Sequence, residues 1–227
     1  DVAGLGTFRD IMRRYHRNYP WYQFGIDLAL GSGIDRPIDN RMKAFAPVVL
    51  DAQLSGATYG GKALVKSVAV LNNTGDDAAI DSPTPWALTP MAVSIYLLVF
   101  VIVMTVRDIR RGRVTRWLDA VLFGVFGLTG LLLTFLIFVS VHEATSPNWL
   151  YLWLNPLCLI PTIFIWLKKC KTVVLSYQIV NFVAIVCLAV IWPLTHQSGN
   201  VAFVPLALCD LIRSANYIYL TIREKKK

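Results

Sequence analysis

Cysteine is missing from residues 1–87, and the four present, Cys158, Cys170, Cys187 and Cys209, lie in or beside apolar runs. A disulfide framework for the N-terminal part is thereby excluded. No CxxC or Cys/His cluster has metal-ligand spacing, so neither a metal nor a cofactor is expected, and the thiols read as small packing groups. Charge is scarce too, at 16% of residues against 56% hydrophobic, with a mean hydropathy of +0.54. That balance lies on the membrane side of a globular average. Lys and Arg are absent from two polar turns, 142–147 and 195–200.

The basic charge that is present is concentrated. Twelve of the 22 Lys and Arg residues fall in 107–116, 168–171 and 223–227, each at the end of an apolar run. Basic charge at every second turn is the positive-inside pattern of a polytopic membrane protein. It places everything before about Thr89 outside the cytoplasm and the C-terminus inside. Residues 1–87 are neutral, with nine basic residues and nine Asp, so the net +8 belongs entirely to the membrane part. There it meets anionic headgroups, and nucleic acid is not an expected partner.

Five spans are predicted, over about 89–106, 117–141, 148–167, 172–192 and 201–222. At about 1.5 Å per residue each reaches about 27 Å or more, enough for the hydrocarbon layer with modest tilt. Thr89-Pro90 opens the first as a cap and first-turn proline. Trp86, Trp117, Trp149, Trp166 and Trp192 fall near span ends, as an aromatic belt requires. Pro156, Pro161 and Pro205 are expected to kink or break their spans, and the third span to be the least regular. Gly124, Gly127 and Gly130 recur every third residue in span two and admit close approach of a neighbouring helix or an acyl tail.

The N-terminal part reads as helices over 6–17, 21–30 and 41–54, a Gly/Asp/Pro loop over 31–40, and strand character over 63–71. A polar linker follows over 72–85. About 70 ordered residues without disulfides hold only a marginal core, so this lobe is expected to complete a larger domain. The domain reading is 1–75 for the C-terminal portion of an external domain, 76–88 for the linker and 89–227 for the membrane domain. An external lobe needs an export signal, and none opens at Asp1, so upstream sequence is expected.

Two stretches carry a family resemblance. Trp21-Tyr-Gln-Phe-Gly-Ile-Asp-Leu-Ala-Leu-Gly31, with Asp35-Arg36-Pro37 and Met42-Lys-Ala-Phe-Ala-Pro47, resembles the end of the external domain of the Lnb-type lipoprotein N-acyltransferases. Ser146-Pro-Asn-Trp-Leu-Tyr-Leu-Trp-Leu-Asn-Pro-Leu157 is similar to the same family's membrane segment. The resemblance implies a mostly α membrane protein. Five transmembrane helices, N-terminus out and C-terminus in, would follow the C-terminal part of a periplasmic α/β papain/NlpC-like domain in the inner membrane of a diderm bacterium. It also implies an acyl chain moved from a phospholipid donor to the α-amino group of a diacylglyceryl-Cys lipoprotein acceptor, through a Cys thioester. The family's nucleophile lies in an Asn-Cys-Ala-Thr-like segment with its His further upstream. Neither occurs in these residues and His16 has no matching context, so no catalytic residue is assigned within the chain. The upstream part is expected in the same protein or as a separate segment.

Candidate binding residues for substrate or lipid are Asn148, Trp149, Asn155, His142, Asp35, Arg36, Asp210 and Arg213. Asp210 and Arg213 stand one helical turn apart inside an apolar run, where ionisable groups are costly. They read either as a pair, with Arg213 free to snorkel, or as a headgroup or relay site. Asn148 and Asn155, seven residues apart, would share one face of a continuous helix and serve as interhelical hydrogen bonds or substrate contacts. Trp149 reads as a belt residue. His142 and His196 occupy external turns, where a catalytic histidine would have access to the outer interface. Asp35, Arg36 and Asp39 form a Gly-flanked loop, either locally paired or a headgroup clamp. Rival readings are a membrane-tethered cysteine peptidase or amidase, and a non-enzymatic anchor or assembly subunit of an envelope complex. A transporter is disfavoured, since no internal inverted repeat is visible.

Overall fold

A computed structural model of the protein describes residues 6–71 and 83–225. The N-terminal lobe contains α1 (Phe8–His16), α2 (Pro20–Ala29), α3 (Asn40–Lys43), α4 (Pro47–Gly56), and a hairpin of β1 (Thr58–Tyr59) and β2 (Lys62–Ala63). Thr7 caps α1 by accepting from the Asp10 amide, and Asp39 caps α3 through Met42 N at 2.7 Å. The single helix expected over 41–54 is two helices. Pro47 has no amide to continue α3 but suits the first turn of α4. The strand expected over 63–71 is confined to the two-residue hairpin arm, turned by Gly60 and Gly61 at positive φ. Residues 72–82, most of the expected linker, lie outside the described residues. The lobe's own core is small: Ile11, Ile38, Ala46 and Val49, with Phe8 against them.

The membrane part begins with α5 (Pro90–Arg111) and α6 (Arg116–Phe138). Thr89 caps α5, Pro90 occupies its first turn, and Gly112 ends it in the left-handed conformation at φ 66°. A short α7 (Leu159–Phe164) follows, then α8 (Lys171–Ile191) and α9 (Phe203–Lys225). Among the described residues three helical stretches, Pro90–Arg111, Arg116–Phe138 and Lys168–Leu194, are long and apolar enough to cross a membrane. α9 has comparable length, 23 residues, but is diluted by Asp210, Arg213, Ser214 and Asn216. Its Pro205 neither kinks nor breaks it, because it falls in the first turn, where its missing amide forfeits no helix bond. α9 packs against α5 and α8, and α6 against α7 and the turn before it. Val103, Leu128 and Val180 stand on the outer faces, 60–66% exposed, as a lipid-facing surface requires.

The third span is not a continuous helix over 148–167. It is a 3-10 turn at Trp149–Leu152, a second at Pro156–Cys158, and then α7. Asn155 is extended (φ −135°, ψ 161°), the conformation a following proline imposes, and its side chain caps the second turn at Leu157 N. This irregular backbone is buried against protein, with Trp153 1% exposed and edge-on to Phe126 at 5.2 Å.

The α6 glycines make room for it. A Cβ on Gly130 would lie 2.3 Å from the Asn155 carbonyl carbon, and one on Gly127 2.7 Å from Leu159. The neighbour that fills the stripe is thus this segment. Gly130→Ala should destabilise the protein by about 1–3 kcal/mol, because the obstructing atoms are backbone and cannot rotate away. Gly124→Ala, which meets only the Thr162 side chain at 3.3 Å, should cost less. Thermal unfolding in detergent ranks the two, and equal losses would contradict this packing.

Candidate functional site

The two sequence stretches that carry the resemblance touch each other. Arg9 of α1 is fully buried and organises the lobe side. Its guanidinium donates to Asp27 at 2.8 Å, Asp35 at 2.7 Å, and the Leu30 and Gly31 carbonyls at 2.9 Å each. A cation at the C-terminal end of α2 satisfies carbonyls that the helix leaves free. Asp27, 1% exposed, also accepts from Arg13 at 3.3 Å and from Asn200 Nδ2 at 3.1 Å. Arg13 reaches on to the Gly199 carbonyl at 3.2 Å.

Asn148 completes the junction. Its Nδ2 donates to the Leu28 carbonyl at 2.9 Å, and its Oδ1 accepts from Gln197 Nε2 at 3.0 Å and Leu150 N at 3.1 Å. Gln197 Oε1 accepts from Trp149 N at 2.8 Å. Gly31 N donates to the Ala144 carbonyl and Ser32 N to that of Pro147, at 2.9 and 2.8 Å. Phe24 lies 5.1 Å from Phe203 at the start of α9, and Trp21 Nε1 donates to the Leu88 carbonyl at 2.8 Å. The two turns that lack Lys and Arg are therefore the ones that hold the lobe. Buried polar groups paired across an interface fix its register, since each left unpaired costs about 1–3 kcal/mol.

Beside this junction an apolar cavity of about 570 Å³ opens between α8 and α9. Leu150, Trp153, Trp192, Phe203, Ala207 and Leu211 line it, and so do Gly199 and Asn200, the residues that Arg13 and Asp27 hold. Its volume and lining suit a hydrocarbon chain.

A second buried polar system runs along α9. Asp210 and Arg213 do not pair with each other, and Arg213 does not snorkel, being 0% exposed. Arg213 donates to Asp119 of α6, to Asp108 of α5 at 2.8 Å and to Thr105 at 3.0 Å. Asp108 also accepts from Asn216 and from the Thr115 hydroxyl and amide. Asp210 accepts from Asn181 at 2.6 Å and Ser214 at 3.2 Å. This network ties α5, α6, α8 and α9 together where a lone charge would be too costly.

The remaining candidates separate. Asn155 acts locally, through Leu157 N at 3.1 Å. Trp149 is half-buried against the main core. His142 Nδ1 meets Ser140 Oγ at 2.8 Å in an exposed turn, and His196 holds a positive φ of 55°. Asp35 pairs with Arg9 rather than within its loop, whereas Arg36 is exposed. Cys158 is buried, accepting from Tyr177 Oη at 3.1 Å and lying 3.3 Å from the Trp153 carbonyl, a packing environment for a thiol. Sequence reasoning did not select Arg9, Asp27, Gln197, Asn200, Asp108 or Asp119. Asp27 had a signal, since it lies inside the Trp21–Gly31 stretch.

Buried ionic ties between membrane-length helices, with a lobe docked at one end, define a polytopic membrane protein. Residues 82–225 match the Lnb transmembrane domain family, and the chain belongs to it. No curated protein and no solved structure matches the chain.

Proposed function

We propose that the protein is a membrane-bound lipoprotein N-acyltransferase, its lobe lying on the periplasmic side of a bacterial inner membrane and its C-terminus in the cytoplasm. The observation that carries this reading is the junction: a lobe held by Asn148, Gln197 and Asn200 directly beside an apolar cavity. A phospholipid's ester sits at headgroup depth while its chain lies in hydrocarbon. An enzyme attacking that ester needs a nucleophile at the interface and a greasy groove beneath it.

The lobe would buttress a papain/NlpC-like domain whose Cys and His lie upstream. The thiolate attacks the phospholipid ester carbonyl, forming a thioester and releasing the lysophospholipid, whose alkoxide takes the proton held by the base. The free α-amino group of the diacylglyceryl-Cys lipoprotein then attacks the thioester. The amide forms, the thiolate leaves, and the amine's proton passes to the base. Within this chain the contribution is binding and orientation, which replaces diffusion of two lipid substrates and is worth up to several kcal/mol.

Mass spectrometry of lipoprotein N-termini tests the reading. Deleting the gene should leave a free α-amino group on diacylated termini, and the full-length gene, but not one with its upstream Cys changed to Ala, should restore the third chain. Unchanged triacylation on deletion refutes the proposal. Peptide or amide cleavage in its place identifies a tethered hydrolase, and stoichiometric partners without an acylation defect identify an anchor.

A further inference from the structure

The end of the bundle opposite the lobe holds a cavity of about 750 Å³ that the acyl-transfer reading does not use. The turn between α5 and α6, the turn before α8 and the end of α9 converge on it. Its lining includes Arg107, Arg111, Arg113, Arg116, Lys168 and Lys171. Two carboxylates face this charge, and both are engaged: Asp108 with Arg213, and Glu224 with Lys171. The Lys171 ammonium beside Glu224 holds its carboxyl below the usual carboxylate range, so it stays charged and committed. The other five cations form no ion pair among the described residues.

Two further observations point to a ligand and its class. The N-terminus of the 23-residue α6 opens into the cavity with no side-chain cap, because the Thr115 hydroxyl is spent on Asp108. Asp108 takes the Thr115 amide and the Thr115 carbonyl that of Leu118, which leaves the Arg116 and Trp117 amides, with the guanidinium groups that form no ion pair, to suit the oxygens of a phosphate. Trp117 and Trp166, 50% and 52% exposed, line the same cavity, as do Ile165, Leu167 and Leu220. Indole rings sit at headgroup depth, and the apolar lining suits the glycerol and first methylenes of a lipid rather than a soluble ion.

We propose that this cavity binds the phosphodiester headgroup of an anionic membrane phospholipid, in the leaflet at the basic end of the bundle. Five unpaired cations in one recess disfavour a zwitterionic headgroup, whose own ammonium they repel. Cations gathered between membrane helices are the usual means of holding such headgroups. The site is separate from the lobe-side groove, so a lipid here is a resident of the fold and not the acyl donor.

Native mass spectrometry of the full-length protein, exchanged into detergent with phosphatidylglycerol, cardiolipin or phosphatidylcholine, tests this. The wild type should retain the two anionic lipids and not phosphatidylcholine. The Arg113→Gln/Lys168→Gln variant should bind them about thirtyfold more weakly. Lys169→Gln, in the same basic turn but outside the cavity, should bind as the wild type does. Should the double variant misfold, Lys168→Gln alone, an exposed change, should still weaken binding several-fold. Equal retention of phosphatidylcholine, or equal losses in the Lys168 and Lys169 variants, overturns the proposal. Displacement of the lipid by millimolar inorganic phosphate overturns it in favour of a soluble anion. None of these readouts involves acyl transfer, so the two proposals fail independently.

Discussion

Arg213→Met is expected to destabilise the protein by about 3–5 kcal/mol, the cost of stripping the partner from buried carboxylates. Arg213 is 0% exposed, and Asp119 and Asp108, 0% and 1% exposed, lose their common counter-charge with it. Asp119 accepts from Arg213 through Oδ1, and its Oδ2 has no hydrogen-bond partner among the described residues. The two carboxylates come from α6 and α5, so the loss loosens both helices from α9 together. A large fall in apparent melting temperature in detergent is the expected readout. The triple variant Arg213→Met/Asp108→Asn/Asp119→Asn should recover most of the loss, because it removes the two carboxylates together with their counter-charge. If the single variant melts with the wild type, or the triple variant melts no higher than the single, the network does not hold the bundle.

Gly31→Ala is expected to separate the lobe from the membrane domain. Gly31 has an ordinary backbone, φ −83° and ψ −170°, so the demand at this position is for space rather than for a glycine conformation. An added Cβ would lie 2.3 Å from the Pro147 carbonyl oxygen and 2.9 Å from that of Thr145. Both atoms are backbone and cannot swing aside. Relief requires moving the 142–148 turn, which breaks the Gly31–Ala144 and Ser32–Pro147 bonds. Each bond is worth about 1 kcal/mol net, and overpacking adds about 1–3 kcal/mol. Amides 31 and 32 should exchange at least about tenfold faster, and the proposed acyl transfer should fall about a hundredfold through misplacement of the lobe. Gly25→Ala, on α2 with nothing within 4 Å of the added methyl, is the matched control and should behave as the wild type. Unchanged exchange at residues 31 and 32 would remove the junction from the account.

The spans were legible because hydropathy and charge act through composition, which needs no knowledge of neighbours. α5, α6 and α8 follow the expected 89–106, 117–141 and 172–192 closely. α5 runs on through its first arginines, whose long side chains extend readily from a helix end. The third span was legible only as trouble. Its prolines foretold irregularity, but the two 3-10 turns and the short α7 depend on what α6 offers opposite them. The same limit hid the charge partners: Asp119 lies 94 residues from Arg213, and no local pattern links them. The i, i+3 spacing of Asp210 and Arg213 suggested a pair, yet both reach to other helices instead.

Amino-acid order alone determined that the chain is a membrane protein, where its long apolar helices run, which ends carry the positive charge, and the family the chain belongs to. Those properties are sums over short windows, and each residue contributes to them wherever the rest of the chain lies. Tertiary structure decided that Leu28 meets Asn148 across 120 residues, that Gly31 and Gly130 must lack a side chain, and that scattered arginines share one recess. Contacts between distant segments are governed by shape and by the need to pair every buried polar group, and neither can be read from a single stretch.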